Sequence, residues 1–244
     1  MSDGASVEAK AFLEAAERGN LQLVKSMFDG DVDVNSTDWL GNTALVSLVR
    51  ERAQPSRAGQ EPVEVARLLI SSGADVDAVY TNSTIRMGIA GEGNLGHERG
   101  DQETTALMYA LMKRWSTLST MLIEAGAKVN VDYDYDSGLK HKSAVFEALF
   151  DDEVLRMMLE RGAYANSTDY DRQYGAMGHT VLMAASSQGR LGAVRLLIDH
   201  GADVGAKRKD RATAFKLARG LAVKRVLLVA RISRLFGRAK ASPV

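Results

Sequence analysis

A ten-residue phrase returns along this chain, and a chain that repeats itself must bury each copy against its neighbours. The copies are LLISSGADVD ending at Asp77, MLIEAGAKVN ending at Asn130, MMLERGAYAN ending at Asn166 and LLIDHGADVG ending at Gly205. A degenerate copy, SMFDGDVDVN, ends at Asn35. Each sets apolar residues before two or three polar ones, then a glycine, then a short extended stretch, which is the pattern of a helix C-terminus. A second unit also recurs: Thr43-Ala44-Leu45, Thr105-Ala106-Leu107, Ser143-Ala144-Val145, Thr180-Val181-Leu182 and Thr213-Ala214-Phe215. A Thr or Ser hydroxyl can accept a backbone N–H from the first helical turn, so these positions predict helix N-caps. About 20 residues separate cap from glycine, room for two short antiparallel helices and too many for one helix of ordinary length. The fold class expected is all-α.

These residues resemble the ankyrin repeat. Asp38-Trp39-Leu40-Gly41-Asn42-Thr43-Ala44-Leu45 carries its D-x-x-G-x-T-x-L finger. The repeat's proline is replaced by alanine or valine, and its histidine never follows the capped leucine. The resemblance implies one ankyrin-repeat solenoid over residues 1–244, with about six helix-turn-helix repeats and divergent end copies. The approximate repeats are 1–35, 36–78, 79–130, 131–166, 167–205 and 206–240. It also implies a non-catalytic module that binds a protein partner through the concave face formed by hairpin fingers and inner helices, here with enlarged finger loops.

Departures from period locate the embellishments. The homologous ends are separated by 42, 53, 36 and 39 residues, against a family period of about 33. Counting from cap to glycine assigns the first excess to a loop between helices around Glu51 to Glu61. The others enlarge three successive fingers. Tyr80, Tyr133, Tyr135, Tyr170 and Tyr174 fall within those fingers. Tyrosine offers large amphipathic contact area at low entropy cost, so these residues are candidate partner anchors, with Trp39 of the neighbouring finger. Packing of the long loops against one another is the alternative reading. Asp132, Asp134, Asp169 and Asp171, with Asp136, would make such a surface electronegative and favour a basic partner.

The balanced charge hides an asymmetry. Residues 206–244 hold 12 Lys or Arg against Asp210 alone; since the chain has 31 of each sign, residues 1–205 keep 19 bases and 30 acids. Head-to-tail attraction, a basic tail for a polyanion and an acidic face for a basic partner all fit this division. An inhibitor or immunity protein that blocks a basic enzyme is therefore one alternative function. Binding of nucleic acid or an anionic membrane by the basic end is another, although no aromatic interleaving supports nucleic acid. Leu221 to Phe236 is expected to form a terminal capping helix, apolar face inward and charges outward.

Matches to chemical motifs carry little weight. Gly91-Glu92-Gly93-Asn94-Leu95-Gly96 fits G-x-G-x-x-G but lies inside a long finger, not in a strand-to-helix turn. The run from Asp132 to Ser143 places its glycine and its twelfth residue wrongly for a calcium loop. Asn35, Asn82 and Asn166 head N-x-S/T triplets without a visible secretion signal. Four histidines have no metal-site spacing, and no serine elbow is present. Zero cysteines exclude disulfides and thiolate chemistry. The expectations are no enzymatic activity, no cofactor, no metal, no membrane span and a cytoplasmic location.

Overall fold

The computed structural model describes residues 3–28, 32–38, 41–51, 61–81, 103–135, 140–171 and 178–239. They form two compact units, Met1–Lys128 and Val129–Val244.

In the first unit, α1 (Asp3–Glu17) packs on α2 (Leu21–Phe28), α3 (Ala44–Glu51) on α4 (Glu61–Ser71), and α5 (Ala106–Met112) on α6 (Ser116–Glu124). The first members of the pairs line up as α1, α3, α5 and the second members as α2, α4, α6. Two short helices cannot bury a stripe by themselves, so the core lies between pairs. It holds Leu45, Leu48, Leu69, Leu107, Leu118 and Leu122, all fully buried, each stabilising by about 1.5–3 kcal/mol. Phe12 meets Phe28 edge-on, centroids 5.6 Å apart.

The second unit repeats the scheme. A 3-10 helix (Ala144–Phe150) packs on α7 (Asp152–Glu160), α8 (Val181–Ser187) on α9 (Leu191–Asp199), and α10 (Ala214–Leu217) on α11 (Leu221–Ala239). Its rows are the 3-10 helix, α8, α10 and, behind them, α7, α9, α11. Leu149, Leu155, Met158, Leu182 and Leu197 are buried between them.

The helix boundaries follow from local chemistry. Thr105 and Thr180 accept the backbone N–H of Met108 and Met183 at 3.4 and 3.2 Å; Thr43 and Thr213 accept from Val46 and Lys216 at 3.5 and 3.4 Å. Ser143 departs from the expected cap, because its side chain accepts no such bond. The helix that follows is 3-10, whose i to i+3 bonding engages the amide that a cap would otherwise satisfy. At the other end, Gly201 sits at φ +84° with open space where a Cβ would project, and Ala202 donates its N–H back to the Leu197 carbonyl at 2.9 Å. The same closure recurs at Ala74, Ala127 and Ala163, a Schellman turn in which a left-handed residue is required.

Short antiparallel ladders join the pairs. In the first unit β1 (Val79–Thr81) pairs with β2 (Glu103–Thr105); in the second, β3 (Asp132–Tyr135), β4 (Lys140–Ser143), β5 (Thr168–Asp171) and β6 (His179–Thr180) run side by side in that order. Each returning strand ends on the residue that precedes the next helix: β2 on Thr105, β4 on Ser143, β6 on Thr180. Finger register and helix position are thereby set by one residue.

Candidate functional site

The fingers are tied down by asparagines. In the second unit the Asn166 Nδ2 donates to the Gly201 carbonyl at 3.2 Å while its Oδ1 accepts the Asp203 N–H at 2.7 Å. Asn130 does the same to Gly162 and Tyr164, both at 2.9 Å. In the first unit Asn35 bridges to Gly73 and Asp75 at 3.1 and 2.7 Å. Asp77 stands at the next such position, where its Oδ1 accepts the Lys128 N–H at 2.8 Å and its carboxylate faces the Lys128 ammonium at 3.7 Å. The sequence marked these residues only as the ends of repeats; their recurrence at one place in each copy was the available signal.

On this frame the second unit carries a four-strand finger ladder. At the level of the backbone, Tyr133 pairs with Lys142 and Asp132 with Ser143. Asp134, His141 and Tyr170 form one row across three strands, and Tyr135, Lys140 and Asp171 the next. The register therefore brings candidate positions from two successive fingers together. Tyr80 lies in the first unit, opposite Thr104. Trp39 and Tyr174 lie outside the described residues, as do the side chains of Tyr80, Asp132, Tyr133, Asp134, Tyr135, Tyr170 and Asp171. Asp169 is described: its side chain is half-buried, and its backbone pairs with His179.

His179 is the titratable centre of this region. Burial pushes its pKa below the usual 6.5, the Arg208 guanidinium adds to that, and Asp169 and Asp210 pull the other way. Arg208 and Asp210 belong to the finger before α10, closed by the Arg208 N–H on the Ala212 carbonyl at 2.9 Å. The finger of the first unit closes similarly, Asp38 donating its N–H to the Asn42 carbonyl at 3.0 Å with Gly41 at φ +85°. There the Asp38 carboxylate binds the Asn42 backbone and side-chain amides at 2.8 and 2.7 Å. In the later finger Arg208 and Arg211 stand where Asp38 and Gly41 stand, Arg211 at φ +61°. Asp210 supplies the lost carboxylate, accepting the Ala212 N–H at 2.9 Å and pairing with the Arg208 guanidinium. That bidentate pair holds the Asp210 carboxyl at about 2. Nothing in the spacing around His179 marks a partner; the fold sets the Asp169 and Asp210 carboxylates and the Arg208 guanidinium, from two other segments, near it.

The terminal helix departs from its expected pattern. Val223 and Leu227 are buried, as a cap requires, but Leu221, Leu228, Val229 and Ile232 are exposed on α11 beside its bases. A helix with apolar residues on both sides is not a purely polar end cap.

Chemistry-bearing motifs find little support in the geometry. The G-x-G-x-x-G run at 91–96 lies outside the described residues, and the strands bounding it, β1 and β2, are antiparallel; a dinucleotide crossover needs parallel ones. The acidic run at 132–138 has no described side chains. Among the described residues no group of His, Asp and Glu could hold a metal ion, and no helix is long and apolar enough to cross a membrane.

Paired helices in two rows, joined by antiparallel fingers and closed by left-handed glycines, define a helix-pair repeat protein. Residues 177–209 match the ankyrin repeat family, and the chain has the ankyrin-repeat fold. It resembles an ankyrin repeat domain from Acinetobacter baumannii AYE, with 22% identity, coverage of 90% of this chain and 97% of that one, and a TM-score of 0.64. It also resembles a chain in the structure of the Bd0816 predatory endopeptidase from Bdellovibrio bacteriovorus in complex with immunity protein Bd3460. There the identity is 22%, the coverage 90% and 97%, and the TM-score 0.61. No curated protein matches the chain. The ankyrin fold is a protein-interaction fold and is generally non-catalytic.

Proposed function

We propose that this chain binds a protein partner through the fingers of its second unit and the helices they lead into, without chemistry of its own. One observation carries the reading: the ladder β3–β6 sets positions 134, 141 and 170 in one row and 135, 140 and 171 in the next. Tyrosine and aspartate positions from separate repeats thus share one ladder, which supports a surface where aromatic anchors supply contact area and carboxylates steer a basic partner. Trp39 and Tyr80 are the corresponding anchor candidates of the first unit. The test is affinity purification of the full chain from its native source with mass spectrometry of what is retained. A stoichiometric protein, released as salt rises, is the expected result; recovery of nucleic acid or lipid alone contradicts the reading.

A narrower form has the partner as a basic enzyme that the chain inhibits. Two things favour it: the net charge of −11 over residues 1–205 and the likeness to a chain from a solved endopeptidase–immunity protein complex. Inhibition of the recovered partner by the purified chain tests this form.

A further inference from the structure

We infer that the groove between α9 and α11 takes an acidic amphipathic helix of another protein, apolar face down. This surface is separate from the fingers. It is a depression of about 620 Å³. Its floor is half-buried Ile198, Val226 and Ala230, and exposed Ala222 and Val229 continue it upward. Two packed helices make an elongated apolar trough, which a third helix fills with side chains spaced three and four residues apart. The alanines at 222 and 230, two turns apart on α11, leave space for that helix to approach closely. Beyond the trough the apolar surface runs on over Leu228 and Ile232, 47% and 43% exposed, on the side of α11 away from buried Val223 and Leu227.

Charge selects the occupant. Arg195 of α9 and Arg225 of α11 line the groove against one carboxylate, Asp199. Exposed Arg231 adds to them, and no acid follows Asp210 in the chain. A second copy docked α11 against α11 would oppose Lys224, Arg225 and Arg231 to themselves with no acid on either helix, which disfavours self-association there. A flat anionic bilayer would rest on the Leu221, Leu228 and Ile232 ridge and leave the recessed Ile198 and Val226 untouched. A helix with glutamates flanking an apolar stripe satisfies floor and rim together.

The probe is a fluorescent peptide of Leu, Ala and Glu patterned as an amphipathic helix, with a scrambled peptide of the same composition as control. Anisotropy with the full chain is expected to rise with the patterned peptide and about tenfold less tightly with the scrambled one. Arg195→Glu and, independently, Ala222→Trp, both at exposed positions, should each weaken binding about tenfold while circular dichroism stays unchanged. No binding of the patterned peptide, or equal binding of both peptides, overturns the proposal. So does attachment to phosphatidylglycerol vesicles that ignores Arg195→Glu and disappears in Leu228→Asp/Ile232→Asp, since that pattern assigns the face to a membrane.

Discussion

Asn166 clasps the backbone of Asp203 across the junction between two helix pairs, accepting its N–H at 2.7 Å while donating to the Gly201 carbonyl at 3.2 Å. A carboxamide presents donor and acceptor side by side, which is what a backbone segment in that turn offers in reverse. Asn166→Ala removes both bonds and leaves partly hydrated backbone groups, so a loss of about 1–2 kcal/mol is expected. Urea unfolding monitored by circular dichroism measures it; a change under a few tenths would mean that water replaces the clasp.

Asp77 occupies the corresponding place in the first unit with an acceptor but no donor. It takes the Lys128 N–H at 2.8 Å, and its ion pair with the exposed Lys128 ammonium at 3.7 Å is worth little in water. Asp77→Asn keeps the acceptor and adds an N–H for the turn carbonyl that Asn35, Asn130 and Asn166 reach in their own junctions. A gain of about 0.5–1 kcal/mol is expected, read as a higher unfolding midpoint. A lower midpoint would show that the ion pair outweighs the missing donor.

The caps give a paired comparison. Thr180 binds the Met183 N–H at 3.2 Å, so Thr180→Ala should cost about 1 kcal/mol. Ser143 makes no cap bond before the 3-10 helix, so Ser143→Ala should cost less than half of that. Equal losses at the two sites would contradict the role given to 3-10 geometry.

His179 makes the second unit sensitive to acid. Its folded pKa lies below the ordinary 6.5 through burial first and Arg208 second. The unfolded chain therefore binds the proton more readily, so stability is complete above pH 6.5 and declines as pH falls below it. His179→Gln should flatten that decline. Denaturation midpoints of both proteins at pH 7.5 and 5 decide the point, and parallel declines would place the acid sensitivity elsewhere.

Helix ends were legible in the sequence because they depend on neighbours in the chain: Gly73, Gly126, Gly162 and Gly201 all adopt the left-handed conformation that their positions in the phrase imply. Four of the five hydroxyl caps form for the same reason, and Ser143 differs because bonding within the following helix replaces the cap. Contacts between repeats were not legible. That Asp169, His179, Arg208 and Asp210 share one neighbourhood depends on how successive fingers stack, and the degenerate Arg208–Ala212 finger hides its kinship with Asp38–Asn42 until the two backbones are compared. The outward apolar residues of α11 were visible as letters, but nothing local indicates which side of that helix α9 and α10 cover.

Protein binding by the fingers of the second unit, as proposed, has a direct test. The direct measurement is the dissociation constant of the recovered partner for the full chain and for Tyr133→Ala/Tyr135→Ala/Tyr170→Ala/Tyr174→Ala, after circular dichroism shows the variant folded. Loss of about a hundredfold or more in affinity is the predicted result, as expected when several aromatic anchors are removed together. Equal affinities of the two proteins would contradict it and move the binding surface off the fingers.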